Sequence, residues 1–249
     1  MIKLTDKFDI SHCKAIPLYN PFASKMISVF NTEQKICDVL VYEQLDDHDK
    51  VNAFILNASS DVTILANESS DLNEICDFLS FTSYSSVLSN VPLRLEAFEK
   101  SGYILKYSNL KNERKMTAAK LTDDLEKIYY LLSRNFSEMT DYSKWIADMS
   151  HRLRHKSAAV IGLKKDDEFV SCALCSYICE DSCVINGVCT DEKYRNNSFA
   201  SECLEKAVSY LHEAGIKNIF VLCENKLTDF YIKNGFEKNG EWYEYLRKI

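Results

Sequence analysis

Apolar and polar positions alternate most regularly in the second half of the chain. Leu125, Ile128, Tyr129 and Leu132 recur at helical spacing in "DDLEKIYYLLSRNF", after a strand at "MTAAKL", and a second helix follows in "DYSKWIADMSHRLRH". "SAAVIGLKK", "FVSCALCSYICE" and "SCVINGVCT" are apolar runs broken by short polar turns, which predicts three strands in an antiparallel meander. In "SFASECLEKAVSYLHEAG", Ala200, Leu204, Ala207, Val208 and Leu211 share one helix face, with Ser198 placed to cap its start and Gly215 to end it. "IKNIFVLCE" reads as a buried strand and "KLTDFYIKNG" as a short helix closed by Gly235. "FEKNGEWYEYLRKI" reads as two strands about an Asn-Gly turn.

The first 110 residues are patterned less clearly. "NAFILNASSDVTILAN" predicts a hairpin, "SDLNEICDFLSFT" a helix, "SSVLSN" a short strand, "PLRLEAFEKSG" a helix and "YILKYSNL" a strand. This order repeats the one that runs from residue 169 onward, and "FEKSGY" and "YIKNGF" share an aromatic-x-Lys-x-Gly-aromatic pattern. A structural duplication is expected, with domains over 1–112 and 116–249 and a junction in the polar run "SNLKNERK".

Composition narrows the function. A net charge of −7 gives no basic field for a phosphate backbone, so nucleic acid is not the expected partner. There is no apolar run near the length that spans a bilayer and no basic, then apolar, leader, which predicts a protein of the cytoplasm with no membrane partner. Ten cysteines then sit in a reducing compartment as small apolar side chains. Cys172-x-x-Cys175, with Cys179 and Cys183 behind it, has half of a zinc-ribbon spacing. On a strand, however, Cys172 and Cys175 point to opposite faces, so strand packing is the expectation and a metal is not. His151 and His155 share a helix face but have no acidic ligand near them in sequence.

The segment "VINGVCTDEKYRNNSFASECLEKAV" runs from a strand through a short turn into a helix. The first N–H groups of such a helix lack intrahelical acceptors and its dipole is positive there, an arrangement suited to a phosphate; Arg195 adds a cation. The local sequence equally fits an ordinary capped connection.

Together with "FYIKNGF" and "GEWYEY", this segment resembles the acetyl-CoA binding core of the Gcn5-related N-acetyltransferase (GNAT) superfamily, over about residues 116–249. The resemblance implies an α/β (α+β) fold, a mixed central sheet flanked by helices, in tandem with a degenerate GNAT-like amino-terminal domain. It implies acetyl-CoA as co-substrate and an amine acceptor as the second partner, with no metal.

Arg195 and Ala200 fit the family's phosphate loop, but Ser198 stands where the family has glycine; its hydroxyl is expected either to donate to a phosphate or to cap the helix. By the same resemblance Asn196, Asn197, Ser198, Phe199, Ala200 and Ser201 belong to the pyrophosphate loop. Val188, Cys189 and Thr190 offer main-chain groups to the acetyl carbonyl and the pantetheine arm. Asn225 contacts CoA, and Tyr231 protonates the departing thiolate. No general base carries over: the apolar Val184 falls near the family's glutamate, Glu180, Asp181, Glu241 and the five histidines are possible, and a water chain to a remote carboxylate would serve instead. The expected activity is acetyl transfer from acetyl-CoA to a primary amine by direct attack. The alternative is a non-catalytic acyl-CoA sensor or interaction module.

Overall fold

The computed structural model describes residues 1–6, 8–9, 11, 20–33, 39–108, 117–137 and 139–247. The expected junction at 108–115 lies, apart from Ser108, outside these residues. The chain forms two compact units that are not contiguous in sequence: Met1–Leu105 with Leu222–Thr228 and Lys238–Ile249, and Lys106–Val221 with Asp229–Glu237. The chain's last segment thus packs with its first.

In the first unit the order is β1 (Ile2–Thr5), α1 (Pro21–Glu33), β2 (Val39–Leu45), β3 (Val51–Ala58), β4 (Asp61–Ala66), α2 (Leu72–Ser80), β5 (Ser86–Ser89) and β6 (Phe98–Tyr107). β1 to β4 pair antiparallel in succession, and β4 pairs parallel with β5 from Asp61↔Ser86 to Ile64↔Ser89. Next to β5 lies the carboxy-terminal part of β12 (Phe236–Leu246), antiparallel from Tyr243↔Ser89 to Leu246↔Ser86. Alternate residues of the strands, among them Ala53, Ile55, Val62, Ile64 and Val87, build a core with Ile75 and Leu79 of α2. The fully buried ring of Tyr245 joins that core, and its hydroxyl accepts the Leu93 N–H at 2.6 Å. On α1, Phe22, Met26 and Val29 recur at helical spacing and are buried, with the helix packed against β4.

The second unit repeats this plan: β7 (Lys120–Leu121), α3 (Leu125–Asn135), α4 (Tyr142–Arg154), β8 (Ala159–Lys165), β9 (Glu168–Cys179), β10 (Ser182–Thr190), α5 (Phe199–Glu213), β11 (Asn218–Glu224) and α6 (Thr228–Lys233). β7 to β10 pair antiparallel in succession, and β10 pairs parallel with β11. α3 and α4 cover one core through Ile128, Leu131, Leu132 and Met149. Cys203, Leu204, Ala207, Val208 and Leu211 form the buried stripe of α5, which packs on β8, β9 and β10. Each unit is therefore a strand, one or two helices, an antiparallel meander, and a helix leading to a strand parallel to the meander's last. The mixed sheet flanked by helices, in tandem, is the expected fold.

Four local expectations are corrected. β1, α1 and β2 were not foreseen in the sequence. Only Lys120 and Leu121 of "MTAAKL" are strand. Residues 92–102 form no helix; β6 begins at Phe98, because this segment lies in a sheet where a Cβ on Gly102 would meet the Cys223 carbonyl oxygen. "FEKSGY" and "YIKNGF" therefore differ in conformation, Gly102 lying in a strand and Gly235 ending α6 at φ +90°. The last segment is one strand, not two: Gly240 has φ +147° but Asn239 keeps a negative φ, whereas a type I′ turn needs both positive.

Candidate functional site

The end of β10 is shaped by a bulge. Its register with β9 passes from Asn186↔Leu174 to Cys189↔Cys172, so Gly187 and Val188 together face one residue of β9. Gly187 takes φ +56°, and its Cα is so close to Leu174 that a Cβ would meet that side chain at 2.8 Å. On the other side, the parallel register with β11 stops at Ile185↔Val221. Val188, Cys189 and Thr190 thus lie beyond that register, which leaves their main chain on that side without a strand partner among the described residues. Ser171 fixes the strand's tip: its hydroxyl donates to the Cys189 carbonyl at 2.8 Å and lies 3.0 Å from the Thr190 hydroxyl.

After Thr190 the chain turns through the 3₁₀ segment Glu192–Tyr194, where the Asp191 carboxylate accepts the Lys193 N–H. Arg134 of α3 lies 3.5 Å from that carboxylate. The loop then alternates in handedness: Asn196 has φ +64°, Asn197 a negative φ and Ser198 φ +62°. Such alternation turns successive N–H groups toward one side, as in anion-binding nests. The Asn197 amide holds the bend by donating to the carbonyls of Tyr194 and Arg195, each at 3.1 Å.

Ser198 is the residue before α5, yet its side chain makes no capping bond; the first intrahelical bond is Glu202 N–H to the Ser198 carbonyl at 3.0 Å. The expectation that the hydroxyl caps the helix is corrected: at φ +62° and ψ 8° the side chain does not point back along the helix axis as a β-region cap does. The N–H groups of Phe199, Ala200 and Ser201 consequently have no intrahelical acceptor and no side-chain cap. Arg195 is exposed, and its guanidinium donates to the Asn135 amide oxygen at 3.1 Å and to the Thr190 carbonyl at 3.4 Å. A cation, a nest and uncapped N–H groups on one short loop suit a diphosphate.

The corresponding places in the first unit are closed. The Asp71 carboxylate accepts the N–H groups of Asn73 and Glu74 at the start of α2, and Glu74 adds a further negative charge in that first turn. Where the register of β4 with β5 ends, the Asn90 amide takes the place of a strand: it accepts the Ala66 N–H and donates to the Ala66 carbonyl, each at 2.8 Å.

Tyr231 lies on α6 in the second unit, 6% exposed, with its ring edge-on to Phe230 at 5.0 Å and to Phe236 at 5.8 Å. Asn225 belongs with the first unit, on a 3₁₀ turn (Asn225–Leu227), and lines a shallow polar recess with Ser101, Gly102, Tyr103, Glu241 and Tyr243. Val184 is buried in β10. Glu180 and Asp181 form the β9–β10 turn, with the Asp181 carbonyl accepting the N–H groups of Lys217 and Asn218. Glu241 accepts the Tyr243 hydroxyl at 2.6 Å, a bond that pushes that phenol up to about 12.

The eight described cysteines are free thiols. Cys172 and Cys189 face each other across β9 and β10, sulfur to sulfur at 3.5 Å, within the core under α3 and α4. That contact and burial hold the Cys172 thiol well above its ordinary range, burial does the same for Cys183, and it pushes Cys203 up to about 12. These groups are neutral thiols at neutral pH, unlike metal-binding or nucleophilic thiolates. Among the described residues no group of three or more His, Cys, Asp or Glu side chains is placed to hold a metal, and the rings of His151 and His155 lie tilted to each other by 46° with centroids 4.3 Å apart. No helix there is long and apolar enough to cross a membrane.

Sequence reading missed Asn135, Ser171 and Asn90, since each acts on residues far along the chain. Gly187 was the one available signal, as a glycine inside a strand marks a bulge.

No curated protein matches the sequence. The sequence profile of the acetyltransferase (GNAT) family matches residues 120–236. Among solved structures, a GNAT-family acetyltransferase from Colwellia psychrerythraea aligns over 100% of both chains with TM-score 0.59 and 11% identity. A GCN5-related N-acetyltransferase from Kribbella flavida covers 92% of this chain and 96% of its own with TM-score 0.60 and 9% identity. A tandem GNAT protein from the clavulanic acid biosynthesis pathway covers 93% of this chain and 89% of its own, with TM-score 0.57 and 9% identity. At these identities the structures establish a shared fold. The residues that match the acetyltransferase (GNAT) family, 120–236, are those that carry the bulged strand, the nested loop and the uncapped helix.

Proposed function

We propose that the protein transfers acetyl from acetyl-CoA to a primary amine, with the catalytic domain over 116–249 and a degenerate, cofactor-free copy over 1–112. One observation carries this reading: the helix start and strand end that suit CoA are open in the second unit, while Asp71 and Asn90 close them in the first. The pyrophosphate lies against the N–H groups from Asn197 to Ser201 and beside Arg195. The pantetheine arm and acetyl carbonyl take main-chain groups of Val188, Cys189 and Thr190, where an N–H stabilises the oxyanion as a neutral amine attacks. The tetrahedral adduct collapses with cleavage of the carbon–sulfur bond, Tyr231 donates a proton to the leaving thiolate, and the amine nitrogen releases its proton to water, from which Tyr231 is reprotonated. The setting is cytoplasmic.

A second reading, an acyl-CoA sensor without turnover, is favoured by Val184, an apolar side chain near the position of the family's glutamate base. Titrating acetyl-CoA by calorimetry and then following CoA release over a panel of amines tests both. Binding with turnover on at least one amine is the expected result, binding without turnover on any amine selects the sensor, and no binding rejects both.

A further inference from the structure

The guanidinium of Arg195 is held along one edge. Its Nε donates to the Thr190 carbonyl at 3.4 Å and its Nη2 to the Asn135 amide oxygen at 3.1 Å. Of the five N–H groups of a guanidinium, three are then left, and two of these lie parallel on the Nη1–Nη2 edge, the fork that can take two phosphate oxygens at once.

Asn135 is itself fixed. It is the last residue of α3, and its Nδ2 donates to the Leu131 carbonyl at 2.9 Å, one helical turn back. Leu131 is fully buried in the core under α3 and α4, so the amide is tied to a rigid part of the unit. Because the nitrogen must face that carbonyl, the oxygen is turned to Arg195, and an exchange of the two atoms would lose both bonds.

The neighbouring arginine is held differently. Arg134 lies 3.5 Å from the Asp191 carboxylate, which offsets its charge. Arg195 meets only neutral oxygens among the described residues, those of Thr190 and Asn135. Asn135 thus orders the guanidinium without cancelling its charge. An exposed arginine that is not ordered beforehand loses its rotamer freedom when an anion binds, and affinity falls by that cost.

We infer that Asn135 is a positioning residue for acetyl-CoA, holding the Arg195 fork open before the diphosphate arrives. This rests on the acetyl-CoA reading for the identity of the anion; the order of Arg195 in the free protein does not depend on it.

The first measurement needs no ligand. In the full chain, the Nε–H NMR signal of Arg195, assigned by its loss in Arg195→Ala, should show restricted motion, and Asn135→Ala should release it. The second is calorimetric titration with acetyl-CoA in a double-mutant cycle. Asn135→Ala should weaken binding by about two- to tenfold, the range for immobilising one long side chain, and should weaken it no further in the Arg195→Ala background. Its bond to Leu131 is lost in both backgrounds, so a merely structural role would give the same loss in each. Asn135→Asp keeps the acceptor but adds a negative charge: Arg195 should stay ordered, while acetyl-CoA affinity falls at least as far as with Asn135→Ala. In a transfer assay Asn135→Ala should raise the KM for acetyl-CoA more than it lowers kcat. A mobile Arg195 in the unaltered chain, equal losses in the two backgrounds, or full affinity in Asn135→Asp overturns the positioning role and leaves acetyl-CoA binding standing. No acetyl-CoA binding by the unaltered chain rejects the acetyl-CoA reading, and this role with it.

Discussion

Ser198→Gly separates the two ways in which this loop can meet a diphosphate. The serine holds φ +62°, ψ 8°, a left-handed conformation that costs a residue with a Cβ about 1–2 kcal/mol. Glycine removes that strain, but its freer unfolded chain costs back roughly 0.5–1 kcal/mol. Because the serine hydroxyl makes no capping bond, nothing is lost at the start of α5. The net effect on stability is therefore small, within about 1 kcal/mol, and thermal unfolding should shift by no more than about 2–4 °C. Removing the Cβ lets the main chain approach the diphosphate more closely, and calorimetric titration should give acetyl-CoA affinity raised by up to about tenfold, or about 1.4 kcal/mol. A loss of affinity with unchanged thermal stability would refute this reasoning and assign the hydroxyl itself as a phosphate donor.

Tyr231→Phe should lower turnover by about 10²- to 10⁴-fold with little change in acetyl-CoA binding, where chemistry limits the rate; full turnover would make the tyrosine a packing residue only. Arg195→Ala should mainly raise the KM for acetyl-CoA, since the phosphates are equally charged before and during reaction, and a fall in kcat alone would contradict that. Asp71→Ala removes a helix cap and should cost about 1 kcal/mol in denaturant unfolding while acetyl-CoA stoichiometry stays at one per chain. Cys203, raised by burial from 9.0 to about 12, binds its proton more tightly folded than unfolded; its stabilising effect is complete below pH 9 and is lost as pH rises from there toward 12. Equilibrium unfolding across that window should show stability falling with pH, with a shallower fall in Cys203→Ala.

Much of the second unit is legible in its sequence, because helical and strand periods there coincide with burial: the stripe from Leu204 to Leu211 is the buried face of α5. The cysteine spacing is also settled locally, since alternation along a strand separates Cys172 from Cys175. What local pattern could not supply were contacts made across long separations. "PLRLEAFEKSG" has helical composition, yet strand neighbours that come from the far end of the chain draw its second half into a sheet, and Asn239-Gly240 lies inside the single strand β12 where an isolated segment would turn.

The sequence by itself determined the order of elements from β7 to α6, the loop from Arg195 to Ser201 and its resemblance to a diphosphate site, because these depend on neighbours in the chain. Only the tertiary structure decided which helix start is open. Ser198 and Asp71 are both residue types that cap helices; backbone handedness turns one away from its N–H groups and leaves the other on them. Only the fold, too, brought Asn135 to Arg195 and Asn90 to Ala66, since a hydrogen bond depends on distance in space, and separations of 60 and 24 residues carry no local signal of it.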